Sequence, residues 1–180
     1  MTARVARVAV AVILGVGGVA VAIWRLWGTW AVAPFVAVAV VAAVLSWIDL
    51  REHRLPNLIV VPAIGASVLL LLGGSLADGQ VASWLSALIG GAALFGLYLV
   101  LALVSPRGMG MGDVKFAALI GLFAGYLGLT TWIGAALAGF IVGGGVAAIS
   151  LVTRRATGRT QLPFGPSMVA GLWIAVALTA

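Results

Sequence analysis

Seven apolar runs separated by short polar, glycine- or proline-rich breaks set the rhythm of this chain. They cover about Val5 to Ile23, Val32 to Ile48, Leu58 to Leu72, Val81 to Val104, Asp113 to Leu129, Trp132 to Val152, and the stretch after Pro166 to Ala180. A perpendicular helical span needs about 20 residues. The third run is short by that measure, and Gly73-Gly74-Ser75-Leu76-Ala77-Asp78-Gly79-Gln80 after it reads as a polar turn. Pro56 pushes Leu55 out of helical geometry, so a break falls between the second and third runs. Ala/Val alternation near positions 8–22 and 36–44 superficially fits strands. The length of these runs and their lack of turn signals favour helices in lipid instead. The pattern predicts an all-α, polytopic membrane protein of about seven transmembrane helices.

Composition agrees. Hydrophobic residues make up 64% of the 180 residues and charged ones 8%, against roughly 25% charged in soluble domains. The net charge of +6 does not point to nucleic acid, because the basic residues sit in short clusters between apolar runs. With the amino terminus in the cytoplasm and alternating spans, Arg4, Arg7, Arg51, Arg54, Arg107, Lys115, Arg154, Arg155 and Arg159 all fall on the cytoplasmic side. Only Arg25 falls outside, and adding or dropping one span would destroy this segregation. The first run also has the look of a secretory signal, since Ala31-Val32-Ala33 resembles a small-residue cleavage site. Pro34 directly after it would hinder cleavage, and Trp24, Arg25 and Trp27 follow the run at once, so a retained helix is expected.

Charge then singles out one stretch, Gly108-Met109-Gly110-Met111-Gly112-Asp113-Val114-Lys115. The chain has only four acidic residues, Asp49, Glu52, Asp78 and Asp113. A carboxylate at the edge of hydrocarbon is costly and invites a functional hypothesis with a named partner. Lysines and arginines alone set this topology, yet it places both Asp49 and Asp113 at the cytoplasmic interface. Two close carboxylates sharing a proton can hydrolyse a peptide, one deprotonating water while the other polarises the carbonyl. Asp49 near a helix C-terminus would more often hold the proton, and Asp113 near a helix N-terminus the charge. Gly108, Gly110 and Gly112 would allow positive φ and close backbone approach, so that an extended substrate can lie against the loop. Arg51, Arg54 or Lys115 would hold a substrate carboxylate or anchor to lipid phosphate. Each feature also has a plain structural reading: Asp113 as an N-cap, Asp49 paired with Arg51 or Arg54, Phe164-Gly165-Pro166 as a helix-entry turn. Glu52 and Asp78 read as solvated loop residues, and His53 as an interfacial side chain. With no cysteine and one histidine, neither a thiolate nor a histidine-built metal site is expected, and no cofactor is implied.

Three stretches together resemble the type IV prepilin peptidases, bacterial membrane aspartyl proteases with a Gly-x-Gly-Asp loop. They are Asp49 with Leu55-Pro56-Asn57, Gly110-Met111-Gly112-Asp113-Val114-Lys115, and Pro163-Phe164-Gly165-Pro166. The resemblance implies Asp49 and Asp113 as the catalytic pair. It implies Gly108, Gly110, Gly112, Lys115, Pro56, Asn57, Pro163, Phe164, Gly165 and Pro166 as residues that shape the loop or bind substrate. The implied substrate is a prepilin or pseudopilin whose short basic leader is removed at the cytoplasmic face of the bacterial inner membrane. Membrane lipids would be the other partner. Long family members carry an amino-terminal region with paired cysteines and often methylate the new pilin amino terminus. This chain has no cysteine, so the resemblance carries over cleavage and not methylation, in a short form. On this reading residues 1–180 are one membrane-embedded peptidase domain, with 1–30 an extra N-terminal helix and 31–180 the core.

Three other readings compete. A presenilin-like intramembrane protease shares Gly-x-Gly-Asp but pairs it with Tyr-Asp and Pro-Ala-Leu, whereas Ile48 precedes Asp49 here and the late motif is Pro-Phe-Gly-Pro. A small transporter would use Asp49 and Asp113 as proton or ion ligands, preferably near the bilayer midplane. A non-catalytic subunit of a secretion machine would use them only as caps. No His-Glu-x-x-His is present, and a serine mechanism would have only His53 as its imidazole base.

Overall fold

The computed structural model describes residues 2–104, 109–153 and 163–179. Every apolar run becomes a helix: α1 (Thr2–Leu26), α2 (Val32–Glu52), α3 (Asn57–Ala77), α4 (Val81–Val104), α5 (Met111–Tyr126), α6 (Leu129–Val152) and α7 (Gly165–Thr179). Five of them, α1, α2, α3, α4 and α6, are long and apolar enough to cross a membrane. The chain is therefore an all-α, multi-pass membrane protein. At 1.5 Å per residue α5 is only about 24 Å long, short of the roughly 30 Å hydrocarbon core.

The third helix corrects the sequence reading. It does not stop at Leu72 but continues for another turn through Gly73-Gly74-Ser75-Leu76-Ala77. Tertiary packing overrides the glycines there. Gly74 lies against the backbone of Trp30 and Ala31, and the buried Ser75 hydroxyl donates to the Tyr126 hydroxyl at 3.3 Å. The turn itself is confined to Asp78-Gly79-Gln80, where Gly79 takes φ +69°. Likewise α5 ends at Tyr126 rather than Leu129, because Gly128 turns the chain with φ +106°. The expected break at Pro56 is present. Its carbonyl accepts from the backbone N–H groups of Ile59 and Val60 as α3 begins.

Long-range hydrogen bonds sort the helix ends into two groups. At one end, Arg4, Arg7 and Arg51 line a common cavity, joining the start of α1 to the end of α2. Gly165 at the start of α7 bonds Asp49, and Lys115 near the start of α5 bonds Asn57 at the start of α3. At the other end, the Trp30 N–H donates to Asp78, Ser75 meets Tyr126, and Thr131 meets Thr179. Successive helices therefore alternate in direction, as the seven-run reading requires. Asp49 and Asp113 share an end with Arg4, Arg7, Arg51 and Lys115, while Arg25 packs on the Trp24 ring at the opposite one.

α5 is the axis of the bundle. It packs against α3, α4, α6 and α7, and every residue from Leu119 to Tyr126 is buried. Its closest neighbour is α4, where a Cβ on Gly90 would stand 2.7 Å from the Gly121 carbonyl and 2.8 Å from Gly125 Cα. Small residues four apart, Ser86 and Gly90 on α4 and Gly121 and Gly125 on α5, let the two backbones touch. Phe35 of α2 reaches α5 directly at the far end, edge-on to Phe123 at 4.9 Å and to Tyr126 at 6.0 Å between ring centroids. Nearer the aspartates, α3 and α7 each pack against both α2 and α5.

Candidate active site

Asp49 sits in the last turn of α2, on the face that points inward, and is 3% exposed. The helix runs on past it to Glu52, where His53 adopts a left-handed conformation (φ 52°) and returns its N–H to the Asp49 carbonyl. An unpaired buried carboxylate is costly. Here its Oδ2 accepts the backbone N–H of Gly165 at 2.9 Å. Gly165 is the first residue of α7, so a helix N-terminus is addressed to the acid. The contact needs glycine: a Cβ at 165 would stand 2.8 Å from that same oxygen.

Asp113 occupies the first turn of α5 and is half-buried. Its Oδ2 accepts the Gly110 N–H at 3.1 Å, and its own N–H donates to the Gly110 carbonyl at 3.0 Å. This is the reach-back half of a capping box; glycine at the cap has no side chain to supply the other half. The carboxylates of Asp49 and Asp113 lie within electrostatic reach of each other. Each thus has one backbone donor at a helix start. The contrast between helix ends that the sequence suggests, with Asp49 at a C-terminus only, is correspondingly weaker.

The second stretch is docked on the first. Gly112 lies against Leu55, where a Cβ would come within 3.0 Å of Leu55 Cβ and 3.1 Å of its carbonyl oxygen. The Lys115 ammonium donates to Asn57 Oδ1 at 3.0 Å, so the Gly-Asp loop is moored on both sides of Pro56. Gly112 acts by close approach, a Cβ at Gly110 would meet nothing nearer than 3.5 Å, and neither uses left-handed backbone. Gly110 has φ −84°, and Gly112 is not among the positive-φ residues. Gly108 lies outside the described residues, as do Arg107, Arg154, Arg155 and Arg159. Pro163 and Phe164 lead into α7, with Pro166 in its first turn, where the missing N–H is no loss.

Sequence reasoning passed over two residues. Tyr98, buried in the C-terminal third of α4, lies within electrostatic reach of Asp113. It stacks on Phe140 at 5.3 Å and meets Phe164 edge-on at 6.2 Å. A single phenol hydroxyl in the otherwise apolar stretch 87–104 of α4 was the available signal. Ser46, one turn before Asp49, is fully buried, and its hydroxyl has no hydrogen-bond partner among the described residues. Arg51 stacks on Trp47 and not on Asp49, and Asp78 is not merely solvated, since it accepts the Trp30 N–H at 3.1 Å.

Comparison with known proteins points one way. The profile described as the Type IV leader peptidase family matches residues 35–149. That region contains Asp49, Pro56, Asn57 and the Gly-Asp loop but ends before Pro163-Phe164-Gly165-Pro166. The chain is 31% identical over 133 residues to the "Prepilin leader peptidase/N-methyltransferase" of Stutzerimonas stutzeri, covering 73% of this chain and 45% of that protein. A protein of the same name from Bacillus subtilis (strain 168) is 29% identical over 140 residues, 76% of this chain and 51% of that one. The one from Pseudomonas aeruginosa is 31% identical over 133 residues, 73% and 44% respectively. The chain spans about half the length of these curated relatives. No solved structure matches it.

Proposed function

The chain belongs to the type IV leader peptidase family, and from that premise we propose that it is an aspartic endopeptidase that removes the leader of prepilins or pseudopilins. The observation that carries this reading is the meeting of three distant stretches around two carboxylates. Asp49 is held by Gly165, Asp113 by Gly110, and the loop between them by Leu55 and Asn57. In this reading Asp49 and Asp113 share a proton; one takes a proton from water as the other polarises the scissile carbonyl. The water attacks, the tetrahedral intermediate collapses, and the proton passes to the leaving amine. The Gly110–Gly112 backbone and Lys115 border the lane for an extended substrate, with Pro163, Phe164 and Pro166 fixing its α7 side.

The site end of the bundle then faces the cytoplasm, across the bacterial inner membrane, with the amino terminus on the same side. The basic rim contributed by Arg4, Arg7, Arg51 and Lys115 supports that orientation. The bimodal name of the relatives includes a methyltransferase. For this chain we propose cleavage. Co-expression with a prepilin tests it. Mass spectrometry of the mature pilin should show a new amino terminus at the leader junction. An uncut prepilin beside a folded, membrane-inserted enzyme would refute the reading.

A further inference from the structure

On the outer side of α1 and α2, away from the aspartates, lies an open-sided groove of about 510 Å³. Its walls are wholly apolar, with Val8, Val12 and Val16 on α1 facing Val40, Val44 and Trp47 on α2. At the site end it meets a second cavity of about 250 Å³, lined by Arg4, Arg7, Trp47 and Arg51. Trp47 belongs to both, and the Arg51 guanidinium stands 5.4 Å over its ring. No carboxylate lines either cavity.

We propose that this double cavity binds one anionic glycerophospholipid, its phosphodiester among Arg4, Arg7 and Arg51 and one acyl chain along the α1–α2 groove. Length commits the groove to lipid. From Val8 to Val19 on α1 it runs for eleven residues, about 16 Å of helix. That is the depth of one leaflet of a hydrocarbon core roughly 30 Å thick. A substrate helix crossing the membrane would need about twice that track. Charge commits the head group. Guanidinium suits phosphate oxygens in a planar, bidentate fashion, and three arginines lining one cavity favour an anionic lipid over a zwitterionic one. Charge also disfavours a second copy of this chain. Two copies in one membrane share an orientation, so a two-fold axis normal to the bilayer puts both arginine clusters at the same depth. Arg7 meanwhile ties α1 to α2 through Leu50, its Nη1 donating to that carbonyl at 3.4 Å. Head-group binding between Arg4 and Arg51 would clamp the same two helix ends together, and with them the last turn of α2. The inference stands whether or not the protein cleaves prepilins.

The test uses the full chain in mild detergent, titrated with phosphatidylglycerol, phosphatidylcholine of the same acyl length, or inorganic phosphate. Thermal unfolding and native mass spectrometry are the readouts. Phosphatidylglycerol should raise Tm and be retained as a one-to-one adduct, while phosphatidylcholine and free phosphate should do neither. Combined Arg4→Gln and Arg51→Gln should weaken phosphatidylglycerol binding at least tenfold, and Val12→Trp, which fills the groove, should abolish the adduct. Equal retention of phosphatidylcholine, a response to phosphate alone, or unchanged binding by both variants would overturn the proposal. So would a wild-type dimer that Val12→Trp converts to monomer, since a second copy would then be the occupant. The comparison of lipids on the wild-type protein stands even where a variant does not fold.

Discussion

Gly165 donates its backbone N–H to Asp49 Oδ2 at 2.9 Å across 116 positions of sequence. The bond ties the first residue of α7 to the last turn of α2 and leaves no room for a side chain. Gly165→Ala keeps a helix-competent residue but places Cβ on the carboxylate. Displacing a reacting group by about an ångström costs on the order of 10²-fold. The expected outcome is a loss of that size in single-turnover cleavage, with thermal stability close to wild type. Unchanged cleavage would separate Gly165 from the chemistry.

Asp49→Asn and Asp113→Asn should each lower leader cleavage by at least about 10³-fold, as removal of one member of a joint catalytic unit does, while the protein still purifies folded from membranes. The wild-type rate should be bell-shaped in pH, with two limbs that belong to the pair rather than to either acid. Residual activity in either variant should lose one limb. Two unchanged limbs in both variants would refute proton sharing.

Gly112→Val tests the mooring of the loop. Its side chain has no space against Leu55, whose Cβ and carbonyl oxygen already stand 3.0 and 3.1 Å from the Cβ position. Cleavage should fall by on the order of 10²-fold through misplacement of Asp113. Lys115→Met should be milder, because its bond to Asn57 is exposed. A stability change below about 1 kcal/mol is expected, measured by thermal unfolding in detergent.

Orientation can be read by labelling, since the chain has no native cysteine. Glu52→Cys should react with an impermeant thiol reagent from the cytoplasmic side only, and Gln80→Cys from the opposite side only. The reverse pattern would place the aspartates on the outer face and overturn the prepilin-leader reading.

Gly90→Leu should expel α5 from its contact with α4. Overpacking a tight core costs about 1–3 kcal/mol or more. Here the obstacles are backbone atoms at 2.7 and 2.8 Å, which cannot rotate aside. Loss of folded protein on size-exclusion chromatography is the expected result.

Much of this architecture was legible because in lipid a long apolar run has only one structure to adopt. The seven runs and the break at Pro56 follow from that constraint. Helix ends were read less well. Gly73-Gly74-Ser75 looks like a turn in isolation, yet Ala31 and Tyr126 hold it helical from outside α3. At the site, motif order singled out Asp49, Asp113, Asn57 and Lys115, but their partners are long-range. Nothing local in Pro163-Phe164-Gly165-Pro166 foretells that its glycine N–H serves Asp49. Tyr98 and Ser46 were missed because a single hydroxyl in an apolar stretch has no pattern around it. The residues alone also left a transporter or a presenilin-like protease open, and the family match over residues 35–149 is what favours the leader-peptidase reading.

The burial of α5 has a consequence for how the protein is made. A segment that touches almost no lipid and begins Met111-Gly112-Asp113-Val114-Lys115 is a poor candidate for leaving the insertion machinery alone. Its glycine-lined seam with α4 supplies an escort: the preceding helix is already apolar enough to partition, and the two can enter the bilayer as a hairpin. The same seam that seats α5 in the finished protein would then shelter its acid during biogenesis.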